Sequence, residues 1–237
     1  MNINEIAKLA GVSRATVSRY LNNGYVSEEK KKIIRKVIEE TGYQPSSQAQ
    51  MLRTKKTKLV GVILPKIDSN TISREVAGIS DILTKKGYQL ILANTNNNIE
   101  EELKYLSLFK DNQVDGVIFI ATILTKQHRD MLKEYKVPIV LLGQRLEGYP
   151  CIFQDDQKAA MTLTEQMVKT GSKFGYITVT DKDEAVGRKR MSGVEEILSK
   201  NKIEFGSEYV KCGDFTLESG YEKAGELFGE HPDIDTL

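Results

Sequence analysis

From residue 59 onward the sequence alternates short apolar runs with amphipathic stretches, and this alternation limits the possible fold more than any other feature. The apolar runs lie at 59–64, 88–93, 115–120, 138–142, 175–179 and 208–212. The helical stretches lie at 71–86, 99–112, 125–135, 157–170, 187–200 and 217–229. Strands that are apolar on both faces need helices on both faces, as in parallel sheets. The sequence therefore predicts a doubly wound α/β domain, with the Gly-, Pro- and Asp-containing stretch 143–156 crossing between two lobes.

The charge of the chain is divided between its two ends. Residues 1–58 carry 12 Lys and Arg against five Glu and no Asp, a net charge of +7. Residues 59–237 carry −6, so the overall +1 conceals the difference. A basic segment joined to an acidic one is typical of a domain that touches phosphates attached to one that does not.

The basic segment is predicted to form three short helices. Asn4 is expected to cap the first, Ser13 the second and Ser27 the third, which ends at Thr41-Gly42. Few apolar residues occur here, so the predicted unit is a small all-α bundle. Its predicted core consists of Ile6, Leu9, Ala10, Val12, Val17 and Leu21.

Two short helices joined by a turn that contains glycine match a helix-turn-helix, in which the second helix enters the major groove of DNA. That helix begins at Arg14 with the sequence RATVSR. Arginine matches the N7 and O6 acceptors of guanine, and alanine can contact a thymine methyl. Arg14 and Ala15 are therefore predicted to read bases. Arg14 by itself would more often be a solvated charge at a helix start.

The pattern IxEIAKLAGVSxxTVSRxLN, followed by VS, a helix and GYxP, resembles the start of the lactose and purine repressor family, the LacI family. The match is dense over about 50 residues, more than a bare helix-turn-helix requires. The resemblance implies that Thr16, Ser18 and Arg19 contact phosphates and operator, and that Tyr25 lies near the DNA backbone. It also implies a cytoplasmic, nucleoid-associated homodimer on double-stranded operator DNA, with a tetramer as a further possibility.

Residues 45–58 separate the two parts of the chain. Their composition alone favours a flexible linker, because 46–53 is too short to be a stable isolated helix. The resemblance instead implies a hinge helix that orders on operator DNA and wedges a leucine into the minor groove. Leu52 matches that leucine, Ala49 lies at its base, and Arg53 is placed near phosphates.

The resemblance also implies that the α/β part is a two-lobed domain like a periplasmic binding protein. The predicted domains are 1–44 for the helix-turn-helix, 45–58 for the hinge, 59–156 for the first lobe and 157–237 for the second. Because the family's second lobe continues further, we expect the second lobe to be incomplete in this sequence.

Ligands of open α/β sheets bind at the carboxyl ends of strands, and a two-lobed protein holds them in the cleft between lobes. Ser69 and Asn70 follow the first predicted strand, and Gln144 follows the fourth. Gly143 stands where many sugar-sensing members carry an aspartate. By this resemblance, the hydroxyl contact of that aspartate is expected either to pass to Gln144 or to be lost.

Two further effector contacts are assigned by the resemblance. RxxG at 190–193 and GDFxxESGY at 213–221 are similar to family positions where an arginine and a stacking aromatic meet the effector. Arg190 and Phe215 are the matching residues. An aromatic face beside polar side chains suits a sugar or sugar phosphate.

These features predict a sequence-specific repressor of a carbohydrate operon, controlled by a small-molecule effector. One alternative is a purine-type or global catabolite regulator that uses a corepressor. A third alternative, from another class of protein, is a cytosolic sugar-binding protein or an enzyme. The basic segment and the absence of GxGxxG, GxxxxGK[ST], GxSxG and HExxH from the sequence disfavour it. No catalytic residue, metal site, cofactor or membrane partner is predicted. Cys151 and Cys212 lack metal-site spacing and are expected to be buried apolar residues.

Overall fold

The computed structural model describes residues 1–43, 56–111 and 114–237, with only the backbone at residue 111. The chain divides into two compact units, Met1–Thr57 and Lys58–Leu237. Ala49, Leu52 and Arg53 of the predicted hinge helix lie outside the described residues, so their roles stay predictions. No helix among the described residues is both long and apolar enough to cross a bilayer.

The first unit contains three helices, α1 (Ile3–Leu9), α2 (Arg14–Leu21) and α3 (Glu28–Thr41). Asn2, not Asn4, caps α1, because Asn2 and Glu5 form a reciprocal capping box that starts the helix earlier. Ser13 is confirmed as the cap of α2, where its side chain accepts from the Thr16 amide at 3.2 Å. Gly42, with φ of +62°, ends α3 as predicted.

The core of this unit is small and lies where the three helices meet. It contains the buried residues Ile6, Ala7, Ala10, Val17, Val26 and Ile34. Val12 and Leu21 pack against it as predicted, but Leu9 is 59% exposed and its predicted place in the core was wrong. At 100° per residue, Ile6, Ala7 and Ala10 share one face of α1, and Leu9 falls to its side.

The second unit contains two parallel sheets. The strands are β1 (Leu59–Leu64), β2 (Gln89–Asn94), β3 (Gly116–Ile120), β4 (Ile139–Leu142), β5 (Cys151–Ile152), β6 (Tyr176–Thr178) and β7 (Val210–Cys212). The larger sheet has the order β2-β1-β3-β4-β5, and the smaller sheet pairs β6 with β7. The predicted parallel α/β fold is confirmed. Only β5 was missed, because two residues carry no periodicity.

Helices follow most of these strands. They are α4 (Asn70–Lys85), α5 (Ile99–Asp111), α6 (Lys126–Lys133), α7 (Asp156–Met167), α8 (Arg190–Lys200) and α9 (Leu217–Glu230). A π-helical segment, Glu184–Lys189, leads directly into α8, so the helical stretch begins three residues before the predicted position 187. The π-helix is rare and is often found at functional sites.

Apolar side chains cover both faces of the larger sheet. On one face Phe119 and Leu141 cluster with Leu106 of α5. On the other, Val62 and Leu64 pack against residues of α4, among them Val76. Two covered faces explain why these strands are continuously apolar in sequence.

The two cysteines differ in their surroundings. The Cys151 thiol is half-buried, and its Sγ lies 3.4 Å from the Leu146 carbonyl oxygen and 3.3 Å from that of Tyr149, either of which can accept its proton. Cys212 is exposed, so its predicted burial was wrong. It ends a short strand of the smaller sheet, where fewer apolar side chains are available to cover it.

Helices α7 and α8 approach each other closely at Gly193. A Cβ atom at this position would lie 2.5 Å from the backbone oxygen of Gln157 and 3.0 Å from Cβ of Ala160. Glycine at this position therefore permits the helices to pack, and the contact fixes Arg190 and Asp156 at neighbouring helix starts.

We predict that Gly193→Ala destabilises the protein by about 1–3 kcal/mol, because the added methyl forces α7 and α8 apart. Gly220→Ala in α9 is the matched control, since nothing lies within 4 Å of a Cβ there. It should leave stability unchanged or raise it by about 0.5–1 kcal/mol. Urea unfolding of both variants measures the difference, and equal stabilities would contradict the packing argument.

Candidate functional site

The outward face of α2 carries the predicted base-reading residues. Arg14 and Ala15 are exposed in its first turn, and Arg19 is exposed near its end. Val17 points the other way and is fully buried in the helical core. The buried valine therefore fixes which face of α2 is free to meet a groove of DNA.

Three more of the predicted DNA contacts lie on α2 or in the turn that follows it. Thr16 and Ser18 are half-buried, and the Thr16 hydroxyl lies 2.9 Å from the Ser13 hydroxyl at the helix cap. Tyr25 is 90% exposed in the turn after α2. An aromatic side chain this exposed in a small bundle is available to a partner surface.

A cavity of about 740 Å³ opens in the second unit. All five predicted effector contacts line it, although they come from four separate stretches of sequence: Ser69, Asn70, Gln144, Arg190 and Phe215. Its volume falls within the range of small-molecule sites. The structure thus brings the five residues together; their contact with a ligand stays a prediction.

Arg190 is held in this cavity by a buried carboxylate. Its Nε donates to Oδ1 of Asp156 at 2.7 Å, and Asp156 is 4% exposed. A bond through Nε leaves the two terminal nitrogens of the guanidinium to bind other acceptors. Burial raises the pKa of the neighbouring Tyr176 hydroxyl, an effect that the Arg190 charge partly offsets.

Gln144 joins the loop after β4 to the π-helical segment that precedes α8. Its Nε2 donates to the Thr122 carbonyl at 2.8 Å and to Oδ1 of Asp183 at 2.9 Å. Both Gln144 and Asp183 are at least 95% buried. Asp183 also accepts from the amides of Ala185 and Val186. Gln144 therefore links the larger sheet to the segment around the smaller one, beyond the ligand role predicted for it.

The remaining predicted residues stand at the rim of the cavity. Ser69 is the N-cap residue of α4 but makes no side-chain cap bond, and Asn70 is the first residue of that helix. Phe215 follows β7 and is 46% exposed. An exposed aromatic ring beside a polar cavity can stack on an apolar face of a ligand.

Three acidic groups of this site were not among the predicted effector contacts. Asp183 carried no motif, and Asp155-Asp156 matched an ordinary helix start, which Asp155 indeed caps. Glu75 also lines the cavity. It could have been found, because it interrupts the apolar stripe of α4 that includes Ile72 and Val76.

Gly143 has φ of +88° and lines the same cavity. A Cβ here would lie 3.2 Å from the Ala121 carbonyl oxygen. Glycine is favoured in this left-handed conformation, so a side chain at this position would strain the backbone.

Comparison with known proteins agrees with both units. The family described as "Bacterial regulatory proteins, lacI family" matches residues 2–46. The family described as "Periplasmic binding proteins and sugar binding domain of LacI family" matches residues 57–237.

Two relatives and one solved structure show the extent of the similarity. The chain is 36% identical over 237 residues to the sucrose operon repressor of Staphylococcus xylosus, covering 100% of the chain and 73% of that protein. It is 34% identical to catabolite control protein A of Priestia megaterium, covering 97% of the chain and 70% of that protein. The lac repressor dimer bound to operator and the anti-inducer ONPF superposes with a TM-score of 0.86 at 21% identity, covering 97% of this chain and 70% of that one, and shares the fold.

A helix-turn-helix unit on the same chain as a two-sheet binding unit defines a DNA-binding transcriptional regulator. The chain belongs to the LacI family, since the family matches span both units and the relatives align along nearly the whole chain.

We predict that Gln144→Glu destabilises the second unit by roughly 2–3 kcal/mol, because it places a second carboxylate against buried Asp183. The double variant with Asp183→Asn should regain part of this loss, since a carboxylate then faces an amide donor. Urea unfolding of the wild type, both single variants and the double variant gives the coupling. Additive effects would show that the two side chains do not interact.

Proposed function

We propose that this regulator is a repressor of a carbohydrate operon, bound to its operator as a homodimer and controlled by a sugar held in the 740 Å³ cavity. The observation that carries the proposal is that five residues selected from sequence line one cavity, on a chain whose α2 exposes Arg14 and Ala15. The 36% identity to a sucrose operon repressor makes sucrose the first compound to test.

The DNA contacts of the proposal divide into two kinds. Arg14 and Ala15 read base edges, whereas Thr16, Ser18, Arg19 and Tyr25 hold the backbone; such contacts position the protein without selecting a sequence. Ala49, Leu52 and Arg53 act in the hinge by resemblance to the family. In this proposal the hinge helix of each protomer orders only on DNA, where its leucine enters the minor groove. Operator affinity therefore depends on the distance between the two hinge helices of the dimer.

The cavity contacts supply the control. Gln144 follows β4 of the larger sheet, whereas Arg190 begins α8, which follows β6 of the smaller sheet. A sugar that binds both residues favours one arrangement of the two sheets. Asp156 and Asp183 act as positioning residues, since each holds one of these side chains. The effector thus changes operator affinity by its different affinity for the two arrangements.

A corepressor mechanism is the second candidate, supported by the 34% identity to a catabolite control protein. The sign of the ligand effect separates the two. An inducing sugar lowers operator affinity, whereas a corepressor raises it, and a gel shift on DNA upstream of the gene, with and without sucrose, measures that sign.

We expect Arg14→Ala to cost about 1–3 kcal/mol in operator binding and to relax base preference, because a bidentate contact to guanine is lost. Arg14→Lys is the matched control. It keeps the charge without the planar fork, so it should retain non-specific affinity while losing discrimination. Competition between the operator and a scrambled duplex at fixed salt is the measurement. An unchanged preference in both variants would remove Arg14 from base reading.

We expect Arg190→Ala to leave operator binding intact and to weaken sucrose binding by roughly 10- to 100-fold, the range for a lost hydrogen bond from a charged group. Arg188→Ala is the control. Arg188 pairs with Glu184 at 2.8 Å and is not among the residues that line the cavity. Calorimetric titration with sucrose compares the two, and equal affinities would place the ligand elsewhere.

A further inference from the structure

Glu75 lines the cavity, and one oxygen of its carboxyl group is buried. Its Oε2 is buried and has no hydrogen-bond partner among the residues that the structure describes. The other two buried side-chain atoms of this kind, Glu102 Oε2 and His128 Nε2, lie 3.1 Å apart and so face each other. Within the described ranges, this leaves Glu75 as the unexplained case.

The neighbours of Glu75 make this state costly. On the same helix, Ile72 and Val76 pack against the apolar cluster of Val62 and Leu64. Burial raises the pKa of the Glu75 carboxyl above its usual value, since the charged form loses water. A buried acceptor without a donor destabilises a protein. An apolar side chain at position 75 would therefore stabilise the fold at least as well as this glutamate does.

The other charged groups of the cavity are already engaged. Its charged lining consists of Lys66, Asp68, Glu75, Asp156, Asp183 and Arg190. Lys66 lies 3.9 Å from Asp68, Arg190 is bonded to Asp156, and Asp183 accepts from Gln144. None of the ion pairs that the structure gives for these residues reaches Glu75. A donor for the Glu75 carboxyl group would then come from water or from a ligand in the cavity.

We propose that Glu75 determines effector specificity by accepting a hydrogen bond from an uncharged donor, a sugar hydroxyl, at the α4 side of the cavity. The inference rests on the proposed function and goes further by assigning one contact and its chemistry. A site built to pair with a hydroxyl discriminates strongly against an analogue that lacks it, because the buried acceptor is then left unpaired. Any anionic substituent of the effector lies away from Glu75, toward Arg190.

The test compares Glu75→Gln and Glu75→Leu with the wild type by calorimetric titration of sucrose and its monodeoxy derivatives. Glu75→Gln should bind sucrose about 10-fold more weakly and Glu75→Leu roughly 30- to 100-fold more weakly, as for loss of a hydrogen bond to a charged group. At least one deoxy sugar should bind more weakly than sucrose to the wild type, yet equally to Glu75→Leu. That sugar identifies the hydroxyl concerned.

Asp81→Asn is the matched control, since Asp81 lies on the same helix and pairs with Lys85 at the surface. It should change sucrose affinity less than twofold. Without ligand, Glu75→Leu should melt at the wild-type temperature or up to roughly 4 °C higher, because an unpaired buried acceptor is removed. A lower melting temperature would assign Glu75 a structural role and overturn the inference.

The two levels of the proposal fail differently. If the wild type binds sucrose and both Glu75 variants bind it equally well, the inference is wrong and the proposed function stands. If the wild type binds none of these sugars, sucrose is excluded as the effector in the proposed function, and the inference, which assigns a contact to sucrose, falls with it.

Discussion

The parallel direction of the strands is the constraint on which the rest of this structure depends. Since β1, β3 and β4 run the same way, their carboxyl ends open at one edge of the sheet. The loop after β1 brings Ser69 to this edge, and the loop after β4 brings Gln144. A reversed strand would carry one of these loops to the far edge and leave the cavity without that wall.

The buried polar groups of the cavity differ in whether they have a hydrogen-bond partner, and their roles differ accordingly. Asp156 and Asp183 are buried and bonded, and each holds a partner that stands beside the ligand space. Glu75 is the reverse case, with a buried oxygen and no donor among the described residues. Buried polar groups that have hydrogen-bond partners make a site rigid. A buried polar group without a partner in a cavity is instead a candidate contact for a ligand.

Much of this fold could be predicted because its signals are local. The apolar run 59–64 coincides with β1, and Ser13 and Gly42 begin and end helices as their chemistry requires. The strand β5 could not be predicted, since Cys151 and Ile152 join the sheet only through pairing with β4. Leu9 was misplaced because the face of α1 that packs is decided by the other helices.

The candidate site was predictable only in part. The five residues predicted to contact the effector follow strands or match family motifs, and all of them line the cavity. The bond from Gln144 to Asp183 joins positions 39 residues apart, a distance over which a single sequence gives no signal. The DNA contacts predicted for the hinge lie outside the described residues, so sequence remains their only basis.

The glycine contact between α7 and α8 has an evolutionary consequence. With the helices in close contact at Gly193, the backbone of Arg190 has little freedom to move toward a ligand of different shape. New ligand preferences in descendants of this gene should then arise by substitutions on α4 and in the loop after β1. The arginine would persist as a fixed reference point while the opposite wall diversifies.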